Sequence, residues 1–216
     1  MRKPDDPSLF GIIIYEGVEP IDLGGTIGVI SMAQRTLPAL RYAVIAEKAG
    51  PVRLASGLTV IADTGFGDAP RCDVHIVTGG PGWRNQIENP RMLAFLRERL
   101  STECASVCTG ALILAASGHL EGKKATTRRS ALGGESVSPL ALLASAGGVS
   151  NTVTAAVVDD SGVVTSGGVS LAIDGTLYLI GRLYGEKMRD TIATSIEYDS
   201  AFAANRQCLG HLRSVS

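Results

Sequence analysis

No run of apolar residues reaches the roughly 18 that a membrane-spanning helix needs, so a transmembrane role is not expected. The opening MRKPDDPS carries charge and proline but no apolar stretch before Leu9, so no secretion signal is read there. Acidic and basic residues nearly balance, 21 against 20, and no basic block or stripe suggests nucleic acid as a partner. Only four cysteines and three histidines are present. If residues 103–107 form a strand, Cys104 and Cys108 stand roughly 13 Å apart, since each strand residue advances about 3.3 Å. A disulfide needs less than about 7 Å, so these two should not be bridged. His75, His119 and His211 show no metal-ligand spacing with the cysteines. Reduced thiols, no metal or organic cofactor and a cytoplasmic location are the expectation.

What is present is a chain that can build a core. It is 45% hydrophobic and 19% charged, without repeats, low-complexity stretches or a linker. Short β-branched runs predict strands at 9–15, 41–47, 73–78, 103–107, 152–158 and 163–166. A hairpin is expected at 51–63, turning at Ser56-Gly57. Helical spacing is read at 21–33, 89–100, 109–117, 140–146 (stopped by Gly147-Gly148), 169–184 and 186–196. Strands alternating with helices imply an α/β fold: one doubly wound, mostly parallel sheet sandwiched by helices. A single domain over 1–216 is expected, with 1–8 as a disordered N-terminal segment.

The stretch SVCTGALILAA (106–116) raises the question of function. An apolar strand breaks at Cys108-Thr109-Gly110 and resumes as a helix apolar on all sides. Sites in such sheets lie at the C-terminal ends of strands, where Cys108 falls. A thiol at a helix N-terminus meets unpaired N–H groups, which favour the thiolate. Gly110 would leave room for the tight turn. Two readings stand here: a packed structural thiol, or a nucleophile on an elbow.

Gly79-Gly80-Pro81-Gly82 also follows a strand. It lacks the Lys and Ser/Thr of a phosphate loop, and its N–H groups could instead face a developing negative charge. The loop Ser166-Gly167-Gly168 is a candidate for another wall of the same cleft. A nucleophilic cysteine needs a base, and the histidines are poorly placed: His75 mid-strand, His119 a helix length away, His211 near a terminus expected to fray. Carboxylates after the first strand suit better. Glu16 and Glu19 read as solvated loop charges, and Asp22, between Ile21 and Leu23, as the one turned inward.

The stretches EGVEPIDLGG (16–25), AGPVRLASGLTV (49–60), CDVHIVTGGPG (72–82), ENPRMLAFLRE (88–98), SVCTGALILAASGHLEGKKATT (106–127), VVTSGGVSLAID (163–174) and SIEYD (195–199) cover nearly the whole chain in order. Together they resemble the ThiJ/PfpI superfamily of class I glutamine amidotransferase-like proteins, and within it the isocyanide hydratase branch. The resemblance implies a flavodoxin-like sandwich, usually homodimeric, with Cys108 as nucleophile and Asp22 as acid/base. It implies that Thr109 contributes a hydroxyl and an N–H, and that Gly79 and Gly80 contribute backbone to an oxyanion-type pocket. The activity implied is hydration of an isocyanide to an N-substituted formamide through a covalent thioimidate. A small apolar substrate would then meet Ile21, Leu23 and Trp83. The alternative is a thiol-based stress, redox or small-molecule-sensing protein. Three departures from the family are visible. Arg128-Arg129 stand where relatives carry His-Trp, and Gly24-Gly25-Thr26 where many carry Thr-Gly-Pro. Thr109 replaces the histidine that follows the nucleophile in the peptidase branch, which disfavours peptidase activity. With 216 residues, the helix-turn-helix region of the regulator branch is not expected.

Overall fold

The computed structural model describes residues 1–146 and 148–214. Gly147, read as part of a helix stop, lies outside them. The first strand, β1 (Ser8–Ile13), is almost entirely buried, as expected of a central strand covered on both faces. It pairs in parallel with β2 (Leu40–Ala46) on one side and β6 (Val74–Val77) on the other. The sheet continues through β7 (Cys104–Val107) and β11 (Val163–Ser166), both parallel to β6. At that end β10 (Val157–Asp160) runs antiparallel to β11, and β12 (His211–Ser214) lies along β10. At the other end β5 (Thr64–Gly65) extends β2. The resulting order of eight strands is β12-β10-β11-β7-β6-β1-β2-β5. Between β2 and β5 sits the expected hairpin of β3 (Gly50–Arg53) and β4 (Thr59–Ala62), turning through Ser56 and Gly57 at φ 63° and 92°.

Helices cover both faces. On one, α1 (Pro20–Ala33) packs on α6 (Ala172–Tyr184) and α7 (Glu186–Ser195). On the other, α4 (Gly110–Ala116) meets α2 (Trp83–Gln86), α3 (Pro90–Arg97) and α5 (Pro139–Ser145). Five residues of α4, from Gly110 to Leu114, are buried, so its uniform apolarity reflects burial on all sides.

Three expectations need correction. Residues 1–8 are not a loose tail: the Arg2 N–H donates to Leu183 O at 2.8 Å and its guanidinium pairs with Asp73 at 2.5 Å. The strand expected at 152–158 is two. Asn151–Thr152 (β9) pairs with β8 (Lys124–Ala125), and only from Val157 does the chain join the main sheet. Finally, the helix expected at 186–196 is not the last element, and the segment around His211 is not frayed. Helix α8 (Asp199–Cys208) and β12 follow, and the His211 ring packs edge-on against Tyr178 and Phe202.

Candidate active site

Strands β11, β7, β6 and β1 are neighbours and parallel, so their C-terminal ends fall side by side on one edge. The chain leaves β1 toward β2 and returns at β6, which makes the gap between them the switch point where α/β sheets form clefts. The segments just beyond these four ends are Gly167–Val169, Cys108, Gly79-Gly80 and the loop leading to Asp22.

Cys108 has φ 52°, a left-handed conformation that is uncommon outside glycine. Its N–H donates to Ser166 O and Gly167 O at 3.2 Å each, and its carbonyl accepts the Thr127 hydroxyl at 2.5 Å. The elbow is therefore fixed from both sides, by the β11 loop and by the segment after β8. The close fit behind it explains two glycines. A Cβ on Gly110 would stand 2.1 Å from Val77 O, and one on Gly79 would stand 2.5 Å from Asp22 Oδ2 and 2.8 Å from Cys108 Cβ.

Asp22 is fully buried on the first turn of α1, and its Oδ2 accepts the Gly79 N–H at 3.0 Å. The Cys108 thiol adjoins this carboxyl and favours its charged form, while Oδ1 is buried with no hydrogen-bond partner. Burial raises Asp22 to about 7, against the opposing pull of Cys108 and of the Gly79 N–H. Burial also pushes the Cys108 thiol up, and the neighbouring Asp22 adds to it, while the Thr109 N–H and Arg128 act the other way. This corrects the expected acidic thiol. A helix terminus contributes about 0.3–1 kcal/mol, whereas full burial can move a group by several pKa units, so desolvation wins. Near neutral pH the thiol therefore keeps its proton, and Asp22 is the member of the pair that titrates.

A cavity of about 220 Å3 opens over the sulfur, lined by Cys108, Thr109, Gly80, Pro81, Trp83 and Val169, with Glu19, Arg128, Leu132, Gly133 and Glu135 at its other walls. Cys108, Thr109, Gly80 and Trp83 are thus brought together as the sequence predicts. Other expectations fail. Ile21 is 55% exposed and does not line the cavity, and Leu23 belongs to the core. Gly79 and Gly110 stand behind the cavity rather than in it. The Gly79 and Gly80 amides are not free for an oxyanion: the first holds Asp22, and the second donates to Thr109 Oγ1 at 2.9 Å. The Thr109 hydroxyl in turn returns to Gly80 O at 3.4 Å, so it ties the two loops together. The Thr109 N–H favours the charged form of the sulfur. Glu16 is the solvated loop charge expected, but Glu19 borders the cavity.

Glu135 was not legible in the sequence, because loop 129–138 shows no periodicity. Its carboxylate takes both oxygens to the Arg128 guanidinium, at 2.7 and 2.8 Å. Burial opposes that charge, but the Leu132 N–H and Arg128 hold Glu135 below its usual range. Arg128 also donates to Ser130 O. Arg129 points elsewhere, into a separate cavity with Thr126, Thr127 and Gly168.

The same architecture recurs in known proteins. The sequence profile of the DJ-1/PfpI family matches residues 11–181. The isonitrile hydratase of Pseudomonas putida is 31% identical over 193 residues, which span 88% of this chain and 78% of that enzyme. A solved ThiJ/PfpI family protein from Pseudomonas syringae superposes with a TM-score of 0.78 at 27% identity, covering 90% of this chain and 76% of that one. Drosophila melanogaster DJ-1beta shares the fold, with a TM-score of 0.74 at 19% identity over 89% of this chain and 98% of its own. The profile reaches from β1 through most of α6 and takes in all four strand ends that converge on Cys108, and on that ground the chain belongs to the DJ-1/PfpI family.

Proposed function

We propose that this chain is a cysteine-dependent hydratase, acting on a small apolar isocyanide to give the N-substituted formamide. The observation that carries the reading is the strained Cys108 elbow facing a buried carboxyl that holds its proton up to about pH 7. The 31% identity to an isonitrile hydratase supports the choice of substrate class. The Cys108 thiol passes its proton to Asp22 as Sγ bonds to the terminal carbon of R–N≡C. Asp22 delivers that proton to the same carbon, leaving Sγ–CH=N–R. Water then adds to the carbon, giving one proton to Asp22, which transfers it to nitrogen. Collapse of Sγ–CH(OH)–NHR breaks the C–S bond, returns the hydroxyl proton to sulfur and releases HC(O)–NHR. The reaction needs one soft nucleophile and one proton carrier.

The test is proton NMR of the purified protein with an aryl isocyanide, watching for the formamide. Cys108→Ala should abolish turnover, since Cys104 is buried at the far end of β7. If no formamide forms and mild peroxide converts Cys108 to a sulfinic acid, the thiol-sensing reading replaces this one.

A further inference from the structure

Another cavity, of about 370 Å3, lies at the opposite end of α6 and gathers four arginines: Arg182, Arg189, Arg206 and Arg213. Tyr178 and His211 also line it, and Glu186 is the one carboxylate among its lining residues. In a chain whose net charge is -1, four guanidiniums around one space concentrate positive charge locally. Carboxylates of this chain answer two of the four, and the other two are left as uncompensated positive charge at the cavity.

The four divide into two kinds. Arg182 and Arg189 are fixed in place. Arg182 donates to Gly162 O at 2.6 Å and Thr102 O at 2.9 Å, and lies 3.8 Å from Asp159. Arg189 is buried, bonds Asp190 at 2.8 Å and Glu186 at 3.4 Å, and rests over the Phe202 ring. Arg206 and Arg213 are exposed and make no ion pair or side-chain hydrogen bond among the described residues. Their planar forks are therefore available to a ligand. Between them His211 is held by two aromatic rings, 5.7 Å from Tyr178 and 5.1 Å from Phe202, and its Nε2 is buried without a partner. Burial, followed by Arg206 and Arg189, keeps that ring neutral down to about pH 4, so it can donate one hydrogen bond without adding to the charge.

We propose that this cavity binds the di- or triphosphate group of a small molecule. Guanidiniums match phosphate oxygens two at a time, and a diphosphate carries enough charge to offset the two unpaired arginines. Arg206 and Arg213 would hold the anion, and the fixed pair would frame the site. The inference is independent of the chemistry at Cys108.

Calorimetry with pyrophosphate and with ATP tests it. One site per chain is expected, weakening with salt, and about tenfold or more weaker in Arg206→Ala/Arg213→Ala, which loses two charge-assisted contacts. Both positions are exposed, and an unchanged melting temperature confirms that the variant folds. Equal affinity for the two ligands assigns the site to the phosphate groups alone, and tighter ATP binding adds a nucleoside contact. No binding of either ligand overturns the proposal, as does binding that the double variant leaves unchanged. Quenching of Trp83 fluorescence that Arg128→Ala abolishes would instead place the anion over Cys108. Duplex DNA held by these arginines while pyrophosphate fails to bind would likewise overturn it.

Discussion

Asp22 connects the chemistry of the site to its stability. Its folded pKa of about 7 lies above the ordinary 3.8, so between those values the folded protein keeps a proton that the unfolded chain releases. Its contribution to stability therefore declines as pH rises through that window. Asp22→Asn should remove this decline and unfold later in urea than wild type at pH 8, by a few kcal/mol in order of magnitude, with little difference at pH 4. The same carboxylate must be ionised to accept the thiol proton, so kcat/KM should rise with an apparent pKa near 7 that belongs to the pair. Asp22→Asn should lose that limb and about 10²–10⁴ of the rate. Gly79→Ala tests the packing behind the pair. Its methyl would sit 2.5 Å from Asp22 Oδ2, so turnover and melting temperature should both fall, whereas an unchanged rate would show that Asp22 does not need its place. The Arg128 charge is already answered by Glu135. Glu135→Gln should free it and lower KM for a carboxylate-bearing isocyanide relative to a neutral one, read from paired steady-state assays.

Among the elements, α4 makes the elbow rigid. Ile113 is fully buried there, and Ile113→Ala should cost about 2–5 kcal/mol in denaturant unfolding by leaving a cavity. Strands β1, β2, β6, β7 and β11 are legible because a strand covered on both faces must be apolar throughout. The β3–β4 hairpin is legible because Ser56-Gly57 suits its positive-φ turn. The misreadings have equally local causes. Residues 152–158 look continuous in composition, but pairing with β8 first and β10's place in the sheet later divides them. Helix α8 buries only Phe202, so its apolar face is too thin to register as a period, and HLRS at 211–214 has no alternation at all.

At the scale of the whole molecule, Ile21, Leu58 and Ile61 are large apolar side chains left 54–62% exposed. The hairpin that carries Leu58 and Ile61 is bonded to the loop before α1, through Ala55 N–H to Val18 O at 2.8 Å. A homodimer that covers this region is expected, and light scattering at micromolar concentration should give about twice the 22.4 kDa chain mass. A monomer mass alone would reject it. By itself the sequence determined the alternation of buried strands and helices, the elbow at Cys108 and the inward turn of Asp22. Each is encoded by neighbours in the chain: β-branched runs, a break of Cys-Thr-Gly between apolar segments, and a carboxylate flanked by apolar residues. Only the tertiary structure decided which amides face which oxygens, that the thiol is raised rather than lowered, and that Glu135 answers Arg128. It alone brought Arg182, Arg189, Arg206 and Arg213 around one cavity. Desolvation and charge pairing depend on groups far apart in sequence and close in space, and a local pattern carries no record of them.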